Sequence, residues 1–299
     1  MRARPVALAL TVGLCLLSRS VIAGDCTDDA PCGGKPALRI GAVAYSPAAV
    51  TIFEGVRRYF DSHDMPVDYV LYSNYDALVA ALNEGQVDIA WNTPLAHARY
   101  HLLAGEKSRT LVMRDVDCGF RSVLVARKDA GIDSVGQLEG RTLVLGSEDA
   151  AEATVLPRHY LAEEGVDLDD IKVLSLDGEV DLEGNPCSSE RYVLQALLEG
   201  RGDAGIIGER LWNHLRKERP EDADRLVAVW TTPPFSHCVF SASEGLDEDL
   251  ARRFTDLMTK MDPTDPQTAD VMRLEGTRVW VVGSPDGFED LLEALREGR

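Results

Sequence analysis

Short apolar runs alternate along the chain with segments whose apolar residues recur every three or four positions, the signatures of buried strands and amphipathic helices. "ALRIGAVAY" (37–45) reads as a buried strand, and "AAVTIFEGVRRYFDSH" as a helix with Val50, Phe53, Val56 and Phe60 at helical spacing. "VDYVLY" (67–72) is the next strand, "YDALVAALNEG" a helix ended by Gly85, and "VDIAWNT" (87–93) a third strand. Thr93-Pro94 then makes a good helix start, an N-cap followed by the residue best suited to the first helical position. A second series runs from Phe120 through "SVLVAR", "RTLVLG", a helix around "LPRHYLAEEG", "IKVLSL", the helix "SERYVLQALLEG" and the short strand "GDAGII". After "RLVAVWTTPPFSHCVFSA" the chain finishes with the helical stretches "DEDLARRFTDLMTKM" and "GFEDLLEALREG". This repeated strand-helix order predicts an α/β fold on parallel sheet. No repeat, low-complexity segment or flexible linker interrupts it.

The N-terminal stretch breaks the pattern. "MRARPVALALTVGLCLLSRSVIAGDC" carries two arginines, an apolar run from Val6 to Leu17, and small residues around Ala23. It reads as a secretory signal over residues 1–23, followed by a polar leader over 24–37. The run is too short to span a bilayer comfortably, and no later segment approaches the ~20 apolar residues a membrane helix needs. The expected location is periplasmic or otherwise extracytoplasmic, with no direct membrane insertion. A lipid anchor on Cys15 or Cys26 is disfavoured, because Leu14 and Asp25 stand where lipoprotein signals place a small residue.

Charge and cysteine use narrow the chemistry. A net charge of -19, from 50 acidic and 31 basic residues, argues against a nucleic-acid partner. Beyond residue 23 the cysteines are Cys26, Cys32, Cys118, Cys187 and Cys238, an odd number that leaves at least one thiol unpaired or paired between chains. Cys26 and Cys32 can close a small loop; the others are scattered, without CxxC or a zinc-like His spacing, so no metal site is expected. By residue type His237 and Cys238 suggest a base and nucleophile, but neighbours on an extended segment point to opposite faces. No Ser-His-Asp spacing offers an alternative. The expectation is a protein that is not an enzyme and needs no cofactor.

"NYDALVAALNEGQVDIAWNTPLAHARY", "GIDSVGQLEGRTLVLGSEDAAEATVLP" and "ERYVLQALLEGRGDAGIIGERLWNHL" resemble the phosphate, phosphite and phosphonate binding proteins of ABC importers. The resemblance covers roughly Leu38 to Phe254. It implies a type II periplasmic binding protein: two α/β lobes joined by two crossing strands, closing on a small-molecule ligand for delivery to an ABC permease in the inner membrane. Residues 38–115 and 234–299 would form lobe 1, and 116–233 lobe 2. A sensor that hands a signal to a membrane receptor would use the same fold. Carried over by position, the resemblance points to Tyr45, Ser46, Trp91, Asn92 and Thr93 in the first lobe. In the second it points to Ser147, Thr154, Ser189, Glu190 and Glu209, with His237 on the return crossing.

One turn departs from these relatives. Where phosphonate binders carry Ser and Thr, this chain reads Ser147-Glu148-Asp149-Ala150-Ala151-Glu152-Ala153-Thr154. A helix N-terminus favours an anion by roughly 0.3–1 kcal/mol, whereas one carboxylate about 4 Å away opposes it by about 4 kcal/mol at an effective dielectric near 20. Either Glu148 and Asp149 point outward, or the ligand is not a free phosphate dianion but a cationic or metal-containing molecule. Asp115 and Asp117 near the first crossing, and the alternating acids Asp177, Glu179, Asp181 and Glu183, add negative charge. The last four lack the glycine and distal glutamate of a calcium loop.

Overall fold

The computed structural model describes residues 37–105, 107–176 and 189–298. The signal, the leader as far as residue 36, Cys26, Cys32, Cys187 and the acidic run 177–186 lie outside the described residues.

The first βα series is β1 (Leu38–Val43), α1 (Ala49–Asp61), β2 (Val67–Tyr72), α2 (Tyr75–Asn83), β3 (Ile89–Asn92), α3 (Pro94–Leu103) and β4 (Arg109–Arg114). The second is β5 (Ser122–Arg127), β6 (Thr142–Leu145), α4 (Leu156–Glu163), β7 (Lys172–Ser175), α5 (Ser189–Leu198), β8 (Ala204–Gly208), α6 (Glu209–Glu218), α7 (Pro220–Ala223) and β9 (Leu226–Thr231). The chain then returns through β10 (Val239–Ala242), α8 (Glu248–Met258), α9 (Ala269–Glu275), β11 (Trp280–Val282) and α10 (Glu289–Arg296). Among the described residues no helix is long and apolar enough to cross a membrane.

Two sheets result. One has the order β11-β4-β10-β3-β1-β2, the other β7-β6-β8-β5-β9. The all-parallel expectation holds only in part. β1 runs parallel to β2 and β3, and β6 to β7 and β8, but β10 is antiparallel to β3 and β4, and β5 to β8 and β9. β5 and β10 are entered from a crossing rather than from a crossover helix, so the right-handed βαβ rule does not govern them, and β11, which follows α9, also runs antiparallel to β4 at the sheet edge.

Helices cover both faces of each sheet, and each face has its own apolar cluster. Ile52, Phe53, Val56, Tyr59 and Phe60 of α1 pack with Phe254 and Met258 of α8 and Met272 of α9 beneath the first sheet. Val50, expected on that stripe, is 56% exposed. At 100° per residue it stands about 120° from Val56, off the buried face. On the opposite face Leu78 and Leu82 of α2 join Tyr100 of α3. Gly41 admits this helix: a Cβ there would lie 2.6 Å from Leu78 Cδ1.

The chain crosses between sheets at 115–121 and again at 232–238. The crossings touch. Phe120 and Phe235 form an antiparallel bridge with N–H to O distances of 2.8 and 2.9 Å, and His237 N–H donates to Asp117 O at 2.9 Å. The fold is therefore the two-lobed type II arrangement, with its crossings hydrogen-bonded into a short ribbon.

Candidate functional site

A cavity of about 610 Å³ lies between the two sheets beside this ribbon. Several helix starts reach its wall: Asn74 and Tyr75 at α2, Thr93 and Pro94 at α3, Ser189 and Glu190 at α5, and Arg210 and Leu211 at α6. Ala151 and Glu152 add a π-helical turn (Ala151–Val155) that leads into α4. The first turn of a helix carries N–H groups without intrahelical partners and the positive end of the dipole, so this convergence favours an anion. Asn74 accepts from Ala77 N–H at 2.8 Å and Thr93 from Ala96 N–H at 3.3 Å, which fixes where α2 and α3 begin.

The ribbon side of the cavity is a charged network. Arg114 grips Asp117 with two parallel bonds, Nε to Oδ2 at 2.6 Å and Nη2 to Oδ1 at 2.9 Å. Its Nη1 donates to Glu275 O at 2.9 Å and to Oε2 at 3.3 Å. Tyr45 Oη donates to Glu275 Oε1 at 2.6 Å, and the Arg114 guanidinium lies 5.3 Å from the Trp91 ring centre. Burial and the Glu275 charge push the Tyr45 hydroxyl up, so it stays a donor. Burial also raises Glu275, against the pull of Arg114. Asp117 is raised by burial but lowered more by Arg114 and His237, and ends at about 2.

His237 is the pivot of this wall. Its Nδ1 is 3.2 Å from Asp117 Oδ1 and 3.2 Å from Cys238 Sγ, and its Nε2 is 3.6 Å from Glu152 Oε2. Its ring stacks on Phe120 with centroids 4.6 Å apart. Burial disfavours the imidazolium, but the Cys238 sulfur and the Asp117 and Glu152 carboxylates outweigh it and raise the pKa well above the usual value. The sequence expectation that His237 and Cys238 point apart is corrected here. Residues 236–238 precede β10 and are not in a strand, so no two-residue alternation separates the side chains. Across the cavity Glu190 Oε2 accepts from Gly208 N–H at 2.7 Å, while burial and the Glu152 charge raise its pKa to about 7.

Of the residues singled out by sequence, Tyr45, Trp91, Thr93, Ser147, Ser189, Glu190 and His237 line the cavity. Four do not. Ser46 accepts from Ala48 N–H in the turn before α1, and Asn92 is buried with its Nδ2 donating to Ser241 Oγ at 3.0 Å. Thr154 is buried inside the π-helical turn, and Glu209 opens α6 beside the lining residues Arg210 and Leu211. Glu148 and Asp149 are both exposed, and only Asp149 borders the cavity. The negative wall is instead Glu152 and Glu190, with Asp117 and Glu275 held by Arg114. Sequence reasoning passed over Arg114, Glu275 and Glu152 as site residues. Asn74, an N-cap after a strand, could have been found by the same argument that found Thr93.

The family model for periplasmic substrate-binding proteins of phosphonate ABC transporters matches residues 44–288. The chain belongs to this family. A probable ABC transporter phosphite binding protein of Prochlorococcus marinus is 24% identical over 198 residues, covering 64% of each chain. Our chain thus spans just under two thirds of that curated relative. Among solved structures, the Prochlorococcus PhnD1 complex with methylphosphonate superposes with a TM-score of 0.67 at 20% identity, covering 87% of this chain and 97% of that one. A binding protein component of an ABC phosphonate transporter from Pseudomonas aeruginosa gives 0.61 at 16% identity, covering 88% and 87%. At these identities the structural likeness speaks for the fold, and that fold agrees with the family match.

Proposed function

We propose that this protein captures a small phosphonate-class oxyanion in the cleft and presents it to an ABC permease in the inner membrane. Lobe 1 would be 38–115 with 234–299 and lobe 2 would be 116–233, closing about the ribbon. Residues 1–23 would direct export. The observation that carries the reading is the convergence of the starts of α2, α3, α5 and α6 on one cavity. Tyr45, Thr93, Ser147 and Ser189 offer hydroxyls there, and Arg191 and Arg210 add positive charge on the second lobe's side.

Glu152 and Glu190 favour one class of ligand within that reading. Both carboxylates face the cavity that the helix starts make positive. A ligand with an oxyanion at one end and a cationic group at the other satisfies both walls, whereas a bare phosphate dianion meets one of them as a repulsion. Calorimetric titration with methylphosphonate, phosphite, phosphate, a small sulfonate and an aminoalkyl phosphonate tests this. One-to-one binding is expected for phosphonates, strongest for the amino compound, and Arg210→Ala should weaken it at least tenfold, about 1.4 kcal/mol, without moving the ligand-free melting point. No binding by any oxyanion, or unaltered affinity in Arg210→Ala, would overturn the assignment of this cleft.

A further inference from the structure

We propose that Asp117, His237 and Cys238 form a binding site for one zinc-class divalent transition-metal ion on the ribbon wall of the cleft. Their ligand atoms all lie within 4.8 Å of one another. The donor set is a carboxylate, an imidazole and a thiol. Thiolate selects zinc-like and other borderline or soft ions and disfavours magnesium and calcium, which take oxygen.

The distances suit such an ion. At tetrahedral zinc, ligand bonds of about 2.0–2.3 Å place neighbouring donors roughly 3.3–3.6 Å apart. Here His237 Nδ1 is 3.2 Å from both Asp117 Oδ1 and Cys238 Sγ, close to that spacing, and the Asp117–Cys238 pair lies within 4.8 Å. The surroundings are those of a built site. A metal-bound imidazole usually gives its second N–H to a carboxylate, and His237 Nε2 faces Glu152 Oε2 at 3.6 Å. The Arg114 fork orients Asp117, the Phe120 ring fixes the imidazole plane, and the backbone bond from His237 N–H to Asp117 O holds the two crossings together. All three donors border the cavity, which leaves a fourth coordination position for water or an oxygen of whatever the cleft holds.

Binding needs an imidazole nitrogen with a free lone pair and a thiolate, so any proton on His237 Nδ1 or Cys238 Sγ leaves to solvent as the two positive charges arrive. Spacing along the sequence could not show this site, because Asp117 is on the outgoing crossing and the other two donors are on the return.

Cobalt provides the test, and it needs no transport ligand. Reduced, chelator-treated full chain is titrated with Co²⁺ and followed by the thiolate-to-cobalt charge-transfer band and the visible bands of tetrahedral cobalt, then back-titrated with Zn²⁺. One equivalent should saturate both signals, and Zn²⁺ should abolish them. Cys238→Ser should remove the charge-transfer band, and Cys118→Ser should keep it. Glu152→Gln should keep the band but weaken affinity about 10- to 100-fold, since it removes the outer partner of the imidazole. Far-ultraviolet circular dichroism checks that each variant is folded, and His237→Gln gives a second donor deletion that must also weaken binding. Absence of the band in the wild type, its survival in Cys238→Ser, its loss in Cys118→Ser, or unchanged affinity in His237→Gln would each overturn the proposal.

Discussion

Glu190→Gln isolates the negative wall of the cleft. The glutamine keeps a carbonyl oxygen to accept the 2.7 Å bond from Gly208 N–H, so the principal loss is the charge. Burial and the Glu152 carboxylate raise Glu190 from 4.5 to about 7 in the folded protein. Below pH 4.5 the folded and unfolded chains both hold the proton and the group contributes nothing to pH dependence. Between 4.5 and 7 the unfolded chain releases it while the native protein keeps it, so stability falls as pH rises, by at most about 1.4 kcal/mol per pH unit. Above 7 both are ionised and the fall levels off at no more than about 3.4 kcal/mol. Urea denaturation of wild type and variant at pH 5, 6, 7 and 8 reads this as a difference curve, with the variant gaining relative stability across the window. The same charge opposes a bound oxyanion. At pH 8 the variant should bind methylphosphonate at least tenfold more tightly, about 1.4 kcal/mol, and at pH 5.5, where wild-type Glu190 is largely protonated, the gain should nearly vanish. Stability curves that stay parallel, or an affinity gain equal at the two pH values, would refute the electrostatic reasoning.

Two further outcomes test the framework around the cleft. His97 is buried, with Nδ1 2.9 Å from Ser241 Oγ, and burial followed by the nearby His101 charge pushes its pKa down to about 3 from 6.5. The unfolded imidazole protonates below 6.5 while the native one stays neutral, so acidification from pH 6.5 to 3 should remove up to about 5 kcal/mol; His97→Asn, measured by denaturation over that range, should lack this component. A Cβ at Gly208 would stand 2.6 Å from Glu190 Oε2 and 2.8 Å from Phe120 Cζ, so Gly208→Ala should cost about 1–3 kcal/mol, read from the urea midpoint, and an unchanged midpoint would mean the wall yields freely.

Local signals in the sequence carried most of the architecture. Thr93-Pro94 starts α3 as its capping chemistry requires, and β2 spans 67–72 because a strand's limits follow from a short apolar run between turn residues. Where the signal was not local, it failed. The antiparallel placement of β10 depends on a return crossing that no periodicity encodes, and Val50 shows that a near-helical spacing can still leave a residue off the buried face. The cleft divides the same way. Tyr45, Thr93, Ser147 and Ser189 could be placed because they sit at element ends, the generic ligand position in α/β sheets. Arg114, Glu275 and Glu152 escaped because their roles arise from contacts across long separations, such as Arg114 with Glu275 and His237 with Glu152. Asp117 was legible as a negative charge near a crossing, but not as the residue that Arg114 and His237 share.

The ribbon joining the lobes has a consequence for how this protein can diversify. Asp117, Phe120 and His237 belong both to the crossings and to the cavity wall. On the proposed closure, a substitution there would alter both what the cleft grips and how the lobes move together, so selection for a new cargo would meet two constraints at once. Arg191, Arg210 and His214 are exposed at the opposite wall and have no part in the crossings. Variation among descendants of this chain that changes ligand preference while preserving the motion should therefore accumulate on that wall first, with the ribbon passed down unaltered.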